Sequence, residues 1–129
     1  MRAVDTNVVV RLIVADHPEQ TRLARAELDS DIFVSHGILM EAEWVLRSSY
    51  KMRREQIRAA LSEFLDHAGV IVPDPDAVRW ALGRFGVGAD FADMLHIVAT
   101  PAGIEFATFE AKLCSLAGEA SPRRVVRLA

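Results

Sequence analysis

Four places in the sequence put a carboxylate where packing alone would favour another residue. Asp5 follows Ala3 and Val4 and precedes Val8, Val9 and Val10, inside a run that otherwise reads as core. Glu41 lies in "ILMEAEWVL", where Ile38, Leu39, Ala42, Val45 and Leu46 share one apolar stripe at about 100° per residue. Asp90 and Asp93, in "GADFADMLHI", are spaced to share nearly one face in the first turn of a helix. Glu110, in "FATFEAKL", comes just past a short apolar run, with Thr108 before it as a hydroxyl donor. Ionised carboxylates are seldom buried without a partner. If these converge, like charges raise one another's pKa, and a divalent cation reverses that logic. An all-oxygen donor set selects a hard ion such as Mg²⁺ or Mn²⁺. Such an ion lowers the pKa of water and stabilises an in-line phosphoryl transition state. No nucleophilic Ser or Cys with a base is evident, nor a phosphate-cradling P-loop or GxGxxG motif, and "GVGAD" reads as a short glycine turn.

Each carboxylate also has a purely structural reading. Asp90 followed by Asp93 resembles a capping box and suits the helix dipole, a role that can coexist with metal binding. Glu43 sits on the border of the stripe opposite Glu41, and with Arg47 four residues on it reads as a surface ion pair. Glu41 has Val45 at that spacing and no cation, which makes it the better functional candidate. Glu110 alone reads as a helix-start acid. His96 is within reach of the Asp93 rim but reads as a satisfied or solvated histidine; His17, His36 and His67 fall near helix ends and read as exposed. Trp44 and Trp80 read as core or dimer-contact aromatics, and Cys114 as a small buried residue of the last helix.

The elements that must position these groups follow from periodicity. Residues 2–5 read as a short strand. The β-branched "TNVVVRLIV" suits a strand, but Asn7 can cap a helix to about Val14, and helix is the better reading. "HPEQTRLARAELDS" starts a helix at Pro18, with Leu23, Ala24 and Leu28 apolar at helical spacing. "IFVS" is a strand, "HGILMEAEWVLRSS" a helix, and "REQIRAALSEFLDHAG" an amphipathic helix with Ile57, Leu61, Phe64 and Leu65 on one face. Then come strand "VIVP", helix "DPDAVRWALGRFG", helix "DFADMLHIVATPAG", strand "EFATF", helix "AKLCSLAG" and strand "RVVRL". Short apolar strands separated by helices indicate an α/β fold with a parallel sheet, in which functional groups collect at the carboxyl ends of strands.

The 129 residues suit one domain, 1–129, with 51% hydrophobic and 26% charged residues. A single cysteine forbids an intrachain disulfide and a Cys-based zinc site, and fits a reducing compartment, the cytoplasm. Asp5 and Arg11 interrupt the layout of a secretory signal, and no uncharged apolar run approaches the roughly 18 residues of a membrane span. The net charge of −3, from 15 Lys+Arg against 18 Asp+Glu, argues against a generically basic nucleic-acid binder. Yet "RSSYKMRREQIR" at 47–58 holds five basic residues against Glu55, and "SPRRVVRLA" adds three arginines. Each reads either as a basic patch or as a solvated helix face and a soluble tail.

The blocks "VDTNVVVRLI" (4–13), "ILMEAEWVLRSSY" (38–50), "GADFADMLHIVA" (88–99) and "FATFEAKL" (106–113) resemble the PIN-domain ribonucleases, specifically VapC-type toxins of toxin–antitoxin pairs. They occur in the family's order and span nearly the whole chain. The resemblance implies a three-layer α/β/α sandwich with a central parallel sheet. It implies catalytic, metal-holding carboxylates at Asp5, Glu41, Asp90 and Asp93, with Mg²⁺ or Mn²⁺ as cofactor. Thr6 and Asn7 match the polar pair after the first acid, and Thr108 the polar residue before the fourth acidic position. There the subgroup reads "ATFD" and this chain "ATFE", so Glu110 keeps the charge at one methylene's greater reach and is a further candidate ligand. The implied activity is endonucleolytic hydrolysis of RNA phosphodiesters, with Arg47, Lys51, Arg53 and Arg54 as candidates to track the RNA backbone. The implied partners are a second copy in a homodimer and a VapB-like antitoxin, through which alone operator DNA is bound. Two rival functions are a catalytically weak PIN domain serving as a binding module, which the Glu110 departure keeps open, and an Asp5-based phosphoacceptor or phosphatase. "DTN" offers the latter neither a middle-strand position nor a second nearby aspartate.

Overall fold

The computed structural model describes residues 1–129, which divide into two compact units, Met1–Pro73 and Asp74–Ala129. In the first unit the order is β1 (Arg2–Ala3), α1 (Thr6–Val14), α2 (Pro18–Glu27), a 3-10 turn (Leu28–Ser30), β2 (Ile32–Phe33), α3 (His36–Ser48), α4 (Arg54–Asp66) and β3 (Val70–Ile71). The strands form a parallel sheet in the order β1-β2-β3, with Ala3 opposite Phe33 and Phe33 opposite Ile71. The ladder runs on past the short strands: Val4 N–H donates to the Phe33 carbonyl at 3.1 Å, and Val34 N–H to that of Ile71 at 2.9 Å. Parallel pairing demands crossovers, which the helices supply. Val9 and Val10 of α1, Leu39, Ala42 and Leu46 of α3, and Ile57 and Leu61 of α4 are buried, as are Ile32 and Val34. Gly69, which leads into β3, has no room for a side chain, because a Cβ there would come within 2.5 Å of the Leu28 carbonyl oxygen.

Helix α1 settles the ambiguous valine run, and its cap is Asp5 rather than Asn7: the Asp5 carboxylate accepts from Val8 N–H at 3.3 Å. The far end is pinned by Arg11, which donates to Gln20 at 2.7 Å, Asp16 at 3.2 Å and the Tyr50 hydroxyl at 3.1 Å. Several side chains depart from the sequence reading. Leu23 and Trp44 are half-exposed. His36 is partly covered, its Nε2 lying 2.7 Å from the Pro73 carbonyl. Glu43 is not at the surface: it is 4% exposed, and Arg47 binds it through Nε at 2.8 Å and Nη2 at 3.4 Å. The apolar stripe of α3 is wide enough that both its borders do not reach solvent equally.

The second unit runs α5 (Pro75–Gly86), α6 (Phe91–Ala99), β4 (Phe106–Thr108), α7 (Ala111–Ala117) and β5 (Val125–Arg127), with β4 and β5 parallel. Val78, Ala81, Leu82 and Phe85 of α5 and Phe91, Met94, Leu95, Ile97 and Val98 of α6 are buried. The Phe85 and Phe91 rings meet tilted, at 5.6 Å between centroids. Arg84 Nε donates to the Leu116 carbonyl at 2.6 Å, satisfying an open acceptor at the end of α7. Two of the three C-terminal arginines are bonded to the rest of this unit. Arg123 donates to the Thr100 carbonyl at 2.6 Å and the Pro122 carbonyl at 2.8 Å, and Arg124 pairs with Glu105 at 3.1 Å. Cys114 is partly covered rather than buried, and no helix is long and apolar enough to cross a membrane.

The Glu43–Arg47 pair is asymmetric, since only the carboxylate is buried. Arg47→Ala leaves that carboxylate with less compensation and is expected to cost about 1–3 kcal/mol in urea unfolding, whereas Glu43→Met is expected to be near neutral or stabilising. Equal losses from both changes would contradict this account.

Candidate active site

In the first unit, Asp5 stands just past β1 at the carboxyl edge of the sheet, its backbone extended (φ −92°, ψ 179°) before the chain turns into α1. Thr6 is buried, and its Oγ1 has no hydrogen-bond partner. Asn7 is exposed, and with Asp5, Arg11 and Gln20 it lines a cavity of about 660 Å³. Glu41 projects from the second turn of α3 and is exposed, while Glu43, two residues on, is buried against Arg47.

In the second unit, Asp90 caps α6 by accepting from Asp93 N–H at 2.9 Å, so the capping role anticipated for this pair is real. Both carboxylates also line a cavity of about 170 Å³ with Glu110, Lys112 and Leu113. Asp93 is partly buried and holds its proton more tightly than an ordinary aspartate. Burial is the main cause, followed by the charge of Asp90 and then that of Glu110, with His96 opposing. Glu110 is exposed at the start of α7, where its N–H donates to the Thr108 hydroxyl at 3.0 Å. Within neither unit do three His, Cys, Asp or Glu side chains gather closely enough to hold a metal ion.

The basic stretch is divided in its roles. Arg47 binds Glu43, and Arg58 pairs with Glu55 at 2.7 Å. Lys51 is exposed in the link between α3 and α4 with a left-handed backbone (φ 56°), and Arg53 and Arg54 are exposed where α4 begins. Lys112 among the second-unit carboxylates is a functional candidate that the sequence reading passed over. Its place two residues past Glu110 was the available signal.

The PIN-domain profile matches residues 2–119. The chain belongs to the PIN-domain family. No match was found among curated proteins or among solved structures. Membership agrees with the observed helices and parallel strands, an α/β PIN-like fold. It carries the family's general character: a nuclease-type hydrolase that acts on nucleic acid and uses divalent metal ions. The donors of this PIN domain suit such an ion chemically. They are carboxylate oxygens, which hard divalent ions prefer, and although burial is the main reason that Asp93 holds its proton, the added repulsion from Asp90 and Glu110 is a field that a cation offsets.

That crowding makes a stability prediction whose sign is fixed. A carboxylate whose pKa is raised by folding adds no cost below its ordinary pKa, where both states are protonated. The cost builds as pH rises from the ordinary value through the raised one and is complete above it. In metal-free buffer near neutrality Asp93→Asn is therefore expected to melt above the wild type, with the advantage fading as pH falls toward the usual aspartate range and gone below it. Mg²⁺ or Mn²⁺ is expected to raise the wild-type Tm and to raise that of Asp93→Asn less. At a hundredfold excess over Kd the wild-type gain is about 2.7 kcal/mol. Thermal melts across pH, with and without metal, check both.

Proposed function

We propose that this PIN domain is a VapC-type endoribonuclease toxin. In this reading residues 1–129 act as one domain, as a homodimer in the cytoplasm, and hydrolyse RNA phosphodiester bonds with Mg²⁺ or Mn²⁺. A VapB-like antitoxin inhibits it and alone supplies contact with operator DNA. One observation carries the chemistry: Asp93, partly buried, shares a small cavity with Asp90 and Glu110 and is electrostatically loaded by both. That volume suits an ion with its waters or a phosphate rather than an ordinary small-molecule ligand, whose pockets start near 300 Å³.

The ligands assigned by resemblance are Asp5, Glu41, Asp90 and Asp93, with Glu110 as a further candidate. A divalent ion held by these residues would supply a water of lowered pKa and positive charge near the phosphate oxygens. The chain's own groups act around that chemistry. Asp90, bonded to the Asp93 N–H, fixes the first turn of α6 that carries Asp93. The Thr108 hydroxyl fixes the turn that carries Glu110. Thr6 and Asn7 follow Asp5 on α1 as supporting polar groups. Lys51, Arg53 and Arg54 offer exposed cations to an RNA backbone, with Arg47 also in that basic stretch.

The test is cleavage of a mixed-sequence single-stranded RNA by the purified protein in Mg²⁺ or Mn²⁺. Asp5→Asn and Asp93→Asn are each expected to reduce cleavage more than about 100-fold without unfolding the chain, since even outer partners of a metal ligand are worth 10–100-fold. Undiminished cleavage in EDTA would sink the metal mechanism, and full activity of Glu110→Gln would remove that residue from the ligand set. RNA binding without cleavage would mark a binding module instead. The toxin role predicts a short reading frame immediately upstream for a small DNA-binding protein, whose co-purification silences the nuclease.

A further inference from the structure

Phe109 is 72% exposed, more than any other large apolar side chain of the molecule. It is not on a loose loop. Thr108, before it, is paired in β4 and its carbonyl accepts Leu128 N–H at 2.8 Å. Glu110, after it, donates its N–H to the Thr108 hydroxyl at 3.0 Å, and its carbonyl accepts Cys114 N–H at 3.3 Å. The backbone on both sides is therefore ordered before anything binds, and a phenyl ring has only two torsions left to restrict.

We propose that Phe109 is a stacking platform for an unpaired base of single-stranded RNA, one residue before Glu110, which lines the cavity with Asp90 and Asp93; the proposal rests on the nuclease reading of those carboxylates. Its surroundings select the occupant. The three residues that follow it, Glu110, Ala111 and Lys112, are exposed, so an apolar protein surface laid over this segment would also strip water from two charged side chains. A nucleobase covers the ring with its π-face and leaves polar edges and a phosphate in the wet surroundings. Single-stranded RNA is commonly held by such base–aromatic stacking. Lys112 lines the cavity with the carboxylates and supplies the cation for the adjoining phosphate.

The experiment uses the full chain and a short single-stranded RNA carrying 2-aminopurine, whose fluorescence falls when it stacks. Binding is read in EDTA and KM in Mg²⁺. Phe109→Ala is expected to weaken binding and raise KM by about 5- to 150-fold and to lose the quenching. Phe109→Trp is expected to keep all three. As an exposed position, Phe109 should change the melting temperature little in either variant. If the wild type cleaves RNA and Phe109→Ala matches it in KM, the stacking proposal falls while the nuclease reading stands. If the wild type neither binds nor cleaves RNA, the nuclease reading falls and takes the proposal with it. A shift from dimer to monomer in Phe109→Ala, with its KM unchanged, would assign the ring to a second copy of the chain and overturn the proposal.

Discussion

A carboxylate bonded to the backbone N–H of the third residue after it opens both α1 and α6. In α1 the bond decides the local structure. Val8, Val9 and Val10 lose side-chain freedom in a helix and by themselves favour a strand. The extended backbone at Asp5 and its acceptance of the Val8 N–H satisfy the first turn, and burial of Val9 and Val10 repays the poor propensity. The residue that starts the helix thereby stands at the carboxyl end of β1. Asp90 does the same for α6, and the N–H it binds belongs to Asp93. Asp5, Asp90 and Asp93 are thus attached to capped first turns, at two of the places where the chain turns from extended to helical.

The molecule treats its carboxylates in two opposite ways. Glu43 is buried and answered by Arg47, so its charge is offset within one helix. Asp93 is partly buried beside Asp90 and Glu110, so its charge is left exposed to repulsion that His96 only partly opposes. The first arrangement serves packing. The second costs stability in the absence of a cation, and a fold retains such a cost where a ligand of opposite charge repays it.

The sequence was most legible where a pattern was local. Every strand and helix falls close to where periodicity put it, because apolar spacing and the Pro and Gly stops act within a few residues. The membership of the PIN-domain family, carried by four ordered motif blocks, is borne out by a match over residues 2–119. Legibility dropped where a side chain's surroundings come from other elements. A helical wheel put Glu41 and Glu43 on two equal borders, but only one border is covered. Asn7 was a plausible cap, yet the cap is the residue from which the chain leaves the strand. Arg123 looked like part of a basic tail, although carbonyls distant in sequence hold it.

Sequence alone determined the element order and the parallel α/β character, since these follow from residue type and spacing along one chain. Tertiary structure alone decided which charges are answered and which are left to repel. It buried Glu43 against Arg47, set Lys112 among three carboxylates and left Phe109 in solvent. The reason is physical: burial and electrostatic fields depend on what surrounds a group in three dimensions, and a neighbour's charge acts across space regardless of its distance along the chain.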